Sequence, residues 1–317
     1  MFTPVTQYRS VRKFLAQSGA LYLSTDTALL LIAGGQETII SDKPVYTFRH
    51  FEDQILFQHE NGKDLQIYDV KKDALRSIAG RFYLWSAYAD QHGLFIEGDD
   101  EQGQNAVFIL QEGRLDRSPL EDAPVLIHYD TVFIRVGGLS AKDLHTGSKL
   151  WKKSFEKPLK IEGNLYGGGN NLLVPLNDSR LLALDVKSGD QHWELADCLP
   201  YYARYPKTGY LYGYGGETYE VIDPVNGVKL IEKRFSEEHN ALKVLPAPHE
   251  HFIYENRMYF TSNTYGSKFG AIDLDRHSID FVQPLDVAEG VTAYLPQREG
   301  NRLYILDTEE VLHVFEA

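Results

Sequence analysis

Short runs of alternating apolar and polar residues follow one another along almost the whole chain. VRKFLAQ (11–17), QILFQHE (54–60), DLQIYDV (64–70), GLFIEGD (93–99) and NAVFILQ (105–111) are examples. Gly, Asp, Asn or Ser interrupts them every few residues. Period-two alternation over segments this short predicts β-strands with one covered face, joined by tight turns. No stretch keeps a helical period, and no low-complexity linker divides the chain.

One pattern of eleven residues organises the strands. It reads AKDLHTGSKLW at 141–151 and ALDVKSGDQHW at 183–193, then fades to EVIDPVNGVKLI at 220–231 and AIDLDRHSIDF at 271–281. The copies align on Asp143, Asp185, Asp223 and Asp273. Four residues later stand Gly147, Gly189, Gly227 and His277. Eight residues later stand Trp151, Trp193, Ile231 and Phe281. The first part reads as a strand. The Asp side chain suits a turn because it accepts backbone N–H groups two residues on. Gly supplies a positive φ that other residues adopt at a cost of ~1–2 kcal/mol. The second strand then ends in a large apolar anchor. Asp69 is a further equivalent, and the rhythm continues to Asp307.

A single hairpin cannot cover such an anchor. A Trp hides ~150–250 Å², worth roughly 4–6 kcal/mol at ~25 cal/mol/Å² if a neighbour covers it. The neighbour must be the next copy. Strand-rich repeats of about forty residues that close no core alone point to propeller blades. The motif resembles the PQQ-like (quinoprotein-type, WD40-like) propeller repeat, Ala-x-Asp-x-x-x-Gly-x-x-x-Trp. The resemblance implies an all-β propeller, with the Trp residues on outer return strands stapling blades together.

Partitioned this way, residues 1–317 form one domain of about eight four-stranded antiparallel blades. The first seven are expected near 11–41, 45–78 (with a turn at Asn61-Gly62), 82–118, 124–155, 160–195, 199–235 and 241–284. The last stretch offers three strands, VTAYLP, RLYILDT and VLHVFEA. The spare strand at 3–10 is predicted to pair with 311–316 and close the ring. Seven blades is the alternative count if one early unit is incomplete.

Composition narrows the function. Asp+Glu 45 against Lys+Arg 32 gives −13. That argues against nucleic acid, whose recognition rests on basic surface, and suits a basic protein partner. The single cysteine, Cys198, allows no internal disulfide and fits a reducing compartment. The N-terminal stretch lacks the form of a signal peptide, and ALLLIA at 28–33 is too short to span a membrane. The expectation is a cytoplasmic chain, monomeric on its own, without membrane contact.

Chemistry-bearing motifs are sparse. The family's enzymes hold a quinone in the channel, and several carry a vicinal disulfide, which one Cys cannot make; no cofactor is expected. His249 and His251 share a strand face, yet no third metal ligand stands at useful spacing. Asp99, Asp100 and Glu101 lack calcium-loop spacing and read as a solvated turn or a contact for a basic partner. No Gly-x-Ser-x-Gly, Walker or zinc pattern occurs. In LPYYARYPKTGYLYGYGGETY (199–219), Tyr210, Tyr212 and Tyr214 share one strand face and read as packing. Tyr201, Tyr202, Arg204 and Tyr205 are the better candidates for exposure and for binding a partner. The expectation is a non-enzymatic protein-binding propeller, such as an immunity protein masking a toxin or effector, or an assembly scaffold. The competing classes are a channel-site enzyme of the metal-dependent lactonase kind and a carbohydrate-binding propeller.

Overall fold

The computed structural model describes residues 2–59, 63–135 and 138–317, with the backbone alone at 247–251. The expected turn at Asn61-Gly62 and the side chains of His249 and His251 lie outside the described residues. Eight separate four-stranded antiparallel sheets follow one another along the chain. Seven are simple meanders, spanning 11–41, 45–78, 82–117, 126–153, 166–195, 203–234 and 246–284. The eighth combines Gln297–Glu299, Arg302–Leu306 and Leu312–Glu316 with Thr3–Tyr8 as its fourth strand. The count is eight, not seven.

The first strand of each blade faces the ring axis. Side chains tie first strands of neighbouring blades together: Lys13 Nζ donates to Thr47 Oγ1 (3.2 Å), and the Ala16 amide to Gln297 Oε1 (3.3 Å). Fourth strands form the rim, as their exposed alternation shows. Strand direction alternates, so turns between second and third strands share one face with the connections between blades; this is the upper face. The other two turns of each blade lie on the lower face.

The repeat motif does its work between blades. Asp143 Oδ1 accepts the amides of His145 (3.1 Å) and Thr146 (2.9 Å) and the Thr146 hydroxyl (2.8 Å). Asp185, Asp223 and Asp273 cap their turns in the same way. Hydrogen bonds from Thr146 hold the Asp143 carboxyl below the usual carboxylate range. Trp151 stands opposite Ala141 across a bulge at Leu150. Its Nε1 donates to the Val186 carbonyl of the next blade (2.9 Å), and its ring lies so close to Gly189 that a Cβ there would be 2.7 Å away. Trp193 repeats this on Val225 (3.4 Å) and Gly227, where the gap would be 2.5 Å. The glycine is thus required both for its φ, +76° at Gly189, and for the approach of an indole. Gly147 is pressed instead by the Pro119 carbonyl.

Two expectations are corrected. Asp307 lies between second and third strands of the last blade, so it is not a copy of the motif aspartate; its Oδ1 accepts the amides of Glu309 (2.9 Å) and Val311 (3.0 Å). VTAYLP is not a regular strand. Pro296 has no N–H to give the ladder, and pairing there is confined to an Ala293–Asp307 bridge before Gln297–Glu299. A short helix, Ser236–Leu242, also interrupts the connection into blade 7.

Closure follows the expected pairing, and its register runs from Thr3 opposite Glu316 to Tyr8 opposite Leu312. Gln7 Nε2 donates to His313 Nδ1 (3.1 Å), leaving Nε2 of that ring to donate to the buried Asp307 (2.8 Å). Phe2 is buried against Tyr259, Phe269 and Phe281, and Gln283 bonds its backbone at both N (3.1 Å) and O (2.8 Å).

Truncation of Trp151 to Ala is expected to cost ~3–5 kcal/mol in a denaturant titration; an unshifted midpoint would remove the stapling role. Deleting residues 2–8 should lower the melting temperature sharply. A truncated chain melting with the full-length one would show that the first strand does not close the ring.

Candidate functional site at the channel mouth

The structure divides the tyrosine-rich candidates. Tyr202 is buried, with its hydroxyl on Glu220 Oε1 (2.6 Å), and Tyr205 is buried against Tyr212 at 5.9 Å between ring centroids. Their expected exposure is therefore wrong. Tyr205 joins the apolar cluster between blades 6 and 7, and Tyr202 is drawn in by Glu220, which is fully enclosed and hydrogen-bonded to the Leu199 amide (2.7 Å), with Lys229 Nζ 3.1 Å away. A buried carboxylate needs such partners, and the Tyr202 hydroxyl is one of them. Burial, with Glu220 next to it, pushes the Tyr202 phenol well up. Burial likewise pushes the Cys198 thiol up to about 12, which leaves it unreactive. Tyr201 is half-buried beside Gly163, and Arg204 is exposed at the end of its short strand, Ala203–Arg204. Tyr210 packs partly and Tyr212 and Tyr214 fully against blade 7, as their alternation predicts.

Asp99, Asp100 and Glu101 form the upper turn of blade 3. Asp100 Oδ1 caps Gln102 (3.0 Å) and Gln104 (2.9 Å), and its Oδ2 meets Arg117 at 3.1 Å. Asp99 lies 3.7 Å from Arg81. Only Glu101 of the three is fully exposed. The three line a cleft of about 740 Å³ between blades 2 and 3. At this seam Arg76 stands opposite Ile67, two residues before Asp69, the register position that Trp151 holds opposite Ala141. Arg76 reaches the Gly113 carbonyl of the next blade but cannot fill the seam as an indole does.

Exposed apolar side chains gather elsewhere. Tyr46, Trp85, Tyr265 and Tyr294 are 50–67% exposed, and all four belong to the upper face or the channel mouth. Val125, Leu242 and Leu245 join them on that face. Only Tyr129 and Val225 of the exposed large apolar residues described belong to lower-face turns; the rest sit on rim strands. Three successive first strands carry bulges, at Val11/Lys13, Val45/Thr47 and Tyr83/Tyr88. Each bulge re-aims a side chain: Arg12, Tyr46 and the segment containing Trp85. No residue-level signal marks Tyr46 or Trp85 as exposed, because both stand in alternating strands where either face is open to the reader.

Between these bulges lie two cations. Arg49 Nη2 donates to the Trp85 carbonyl (3.2 Å) and its Nη1 to the Phe48 carbonyl (3.3 Å). Lys13 Nζ, on Thr47, lies 5.4 Å from the centre of the Phe48 ring. Burial, and then the Arg49 charge, lower the Lys13 ammonium to about 8. Among the described residues no three His, Cys, Asp or Glu side chains come together as metal ligands.

Comparison with solved structures places this geometry. The chain is similar to BamB from Moraxella catarrhalis (TM-score 0.61, 12% identity, 100% of both chains). It is also similar to the computationally designed Ika8 protein (TM-score 0.64, 10% identity, 99% of this chain and 98% of that one) and to Sqt1 from Saccharomyces cerevisiae (0.61, 9%, 99% of each). These likenesses agree with the fold, a β-propeller of eight four-stranded antiparallel blades. No protein-family model and no curated protein matches the sequence.

Lys13 makes a prediction about stability. Below pH 8 the lysine is charged in both folded and unfolded chains, and the cost of burying it is fully present. Between about 8 and the ordinary value of 10.5 the unfolded chain holds more protons, so stability rises with pH and the cost fades. Lys13→Met should therefore stabilise the fold at pH 7 by about 1–2 kcal/mol, discounted for the solvent that reaches the site. The gain should vanish by pH 10.5. Equal denaturation midpoints at pH 7 would show that the ammonium is not penalised.

Proposed function

We propose that this propeller is a protein-binding platform that works without a catalytic step, and that the upper face is its binding face. The observation that carries this reading is the concentration of exposed Tyr, Trp and Leu side chains there, Tyr46 and Trp85 foremost. Exposed apolar groups gathered on one face mark interaction sites, and Tyr and Trp are the side chains that anchor interfaces. The likeness to BamB supports an interaction scaffold. Masking a toxin or effector and scaffolding an assembly are the two forms of this role, and both need a stable complex through that face. We place the protein in the cytoplasm, where its single thiol fits a reducing environment.

A second reading draws on the same residues, because exposed Tyr and Trp rings also stack against sugars. Inhibition of binding by free saccharides separates it from a protein partner.

Affinity purification of the full chain from its native cells, at low and high salt, should retain one stoichiometric protein. A Tyr46→Ala/Trp85→Ala double variant should lose it while melting within a degree or two of the parent, since both side chains are largely exposed. Retention of the same partner by the double variant would move the interface off this face, and an empty bait would turn attention to the channel.

A further inference from the structure

The net charge of −13 conceals a local reversal at the channel mouth. Lys13 and Arg49 both reach the Thr47–Phe48 stretch, Lys13 through Thr47 Oγ1 and the Phe48 ring and Arg49 through the Phe48 carbonyl, and neither forms an ion pair among the described residues. Their neighbours are otherwise engaged. Arg12 is bound to Asp26 (2.7 Å), and Arg81 lies 3.7 Å from Asp99. The Lys13 ammonium has three N–H groups and spends one on Thr47; the Arg49 guanidinium has five and spends two on carbonyls. Two adjacent half-buried cations with spare donors and no counter-charge are costly to keep. A bound anion would remove both costs together.

The surroundings say what kind of anion. Tyr46 adjoins Thr47 in sequence, and the Trp85 backbone carbonyl accepts from Arg49, so both exposed aromatics belong to the strand segments that hold the cations. A free inorganic ion has no use for such rings, whereas a peptide carries its carboxylate beside chain and side chains that stack on them. We infer that the mouth formed by blades 1–3 takes an acidic segment of the partner protein, with a carboxylate seated between Lys13 and Arg49 and the flanking residues on Tyr46 and Trp85. This rests on the platform reading and reverses the expectation of a basic partner drawn from net charge.

The test is a calorimetric titration of the full chain with a hexaglutamate peptide, with a hexalysine peptide and inorganic phosphate as comparisons. Hexaglutamate should bind against the overall charge, weaken as salt rises, and lose at least about tenfold in affinity in Lys13→Met/Arg49→Gln. Lys13→Arg, which keeps the charge, should retain binding, so that loss in the double variant is not read as misfolding. Tyr46→Ala/Trp85→Ala should weaken hexaglutamate more than phosphate. Preference for hexalysine, equal affinity in the charge-removed variant, or phosphate binding as tightly as the peptide would each overturn the inference. If a partner is captured through Tyr46 and Trp85 but hexaglutamate fails to bind, the acidic segment falls and the platform stands. If hexaglutamate binds as described and no partner is captured, the platform reading fails while the carboxylate site remains.

Discussion

A blade of four strands has two faces to bury and nothing inside itself to bury them against. Every blade of this ring is therefore completed by its neighbour, and the contact that does this most visibly is an indole laid on a glycine. Trp151 covers Gly189 and Trp193 covers Gly227, each also donating to a carbonyl of the turn that it covers. The dependence runs both ways. Blade 6 carries Ile231 in place of the indole, and in blade 7 His277 takes the place of the glycine, at φ +50° with its Nδ1 2.9 Å from the Tyr219 hydroxyl. Once the Trp is gone the turn it would have covered can carry a side chain. The motif decays as a pair spread over two blades.

The same dependence explains the seam between blades 2 and 3. There the outer strand presents Arg76 at the register of the staple, and a cleft of about 740 Å³ runs along the seam. This solvated seam is crossed by the Arg76 bond to the Gly113 carbonyl, while Arg117 beside Asp100 pairs within blade 3. These are individually weak in water.

Blade count, strand order and ring closure were legible because they depend on backbone requirements repeated many times: Asp at a turn, Gly at positive φ, alternation in each strand. One ambiguous copy is corrected by the others. The candidate site had no such redundancy. Tyr202 looks exposed among its neighbours in sequence, and only Glu220, brought beside it by strand pairing, shows why it is enclosed. Trp85 looks like any strand aromatic until the bulge between Tyr83 and Tyr88 turns it outward. Asp307 imitates the motif spacing while serving a different turn. Lys13 and Arg49, thirty-odd positions apart, become neighbours only when first strands meet around the axis.

The pairing of the first strand with the last also decides how the ring responds to force. Thr3 lies opposite Glu316 and the strands run antiparallel, so both ends of the chain leave the blade at the same edge. Tension applied between the termini loads one rung of the ladder at a time, as a zipper is opened, instead of shearing all rungs together. The first yield point is the Phe2 anchor with its Gln283 clamp. Once that strand peels away, the eighth blade loses its rim while seven meanders remain intact. A tether pulling on both ends would unclasp this ring long before it unravelled a blade.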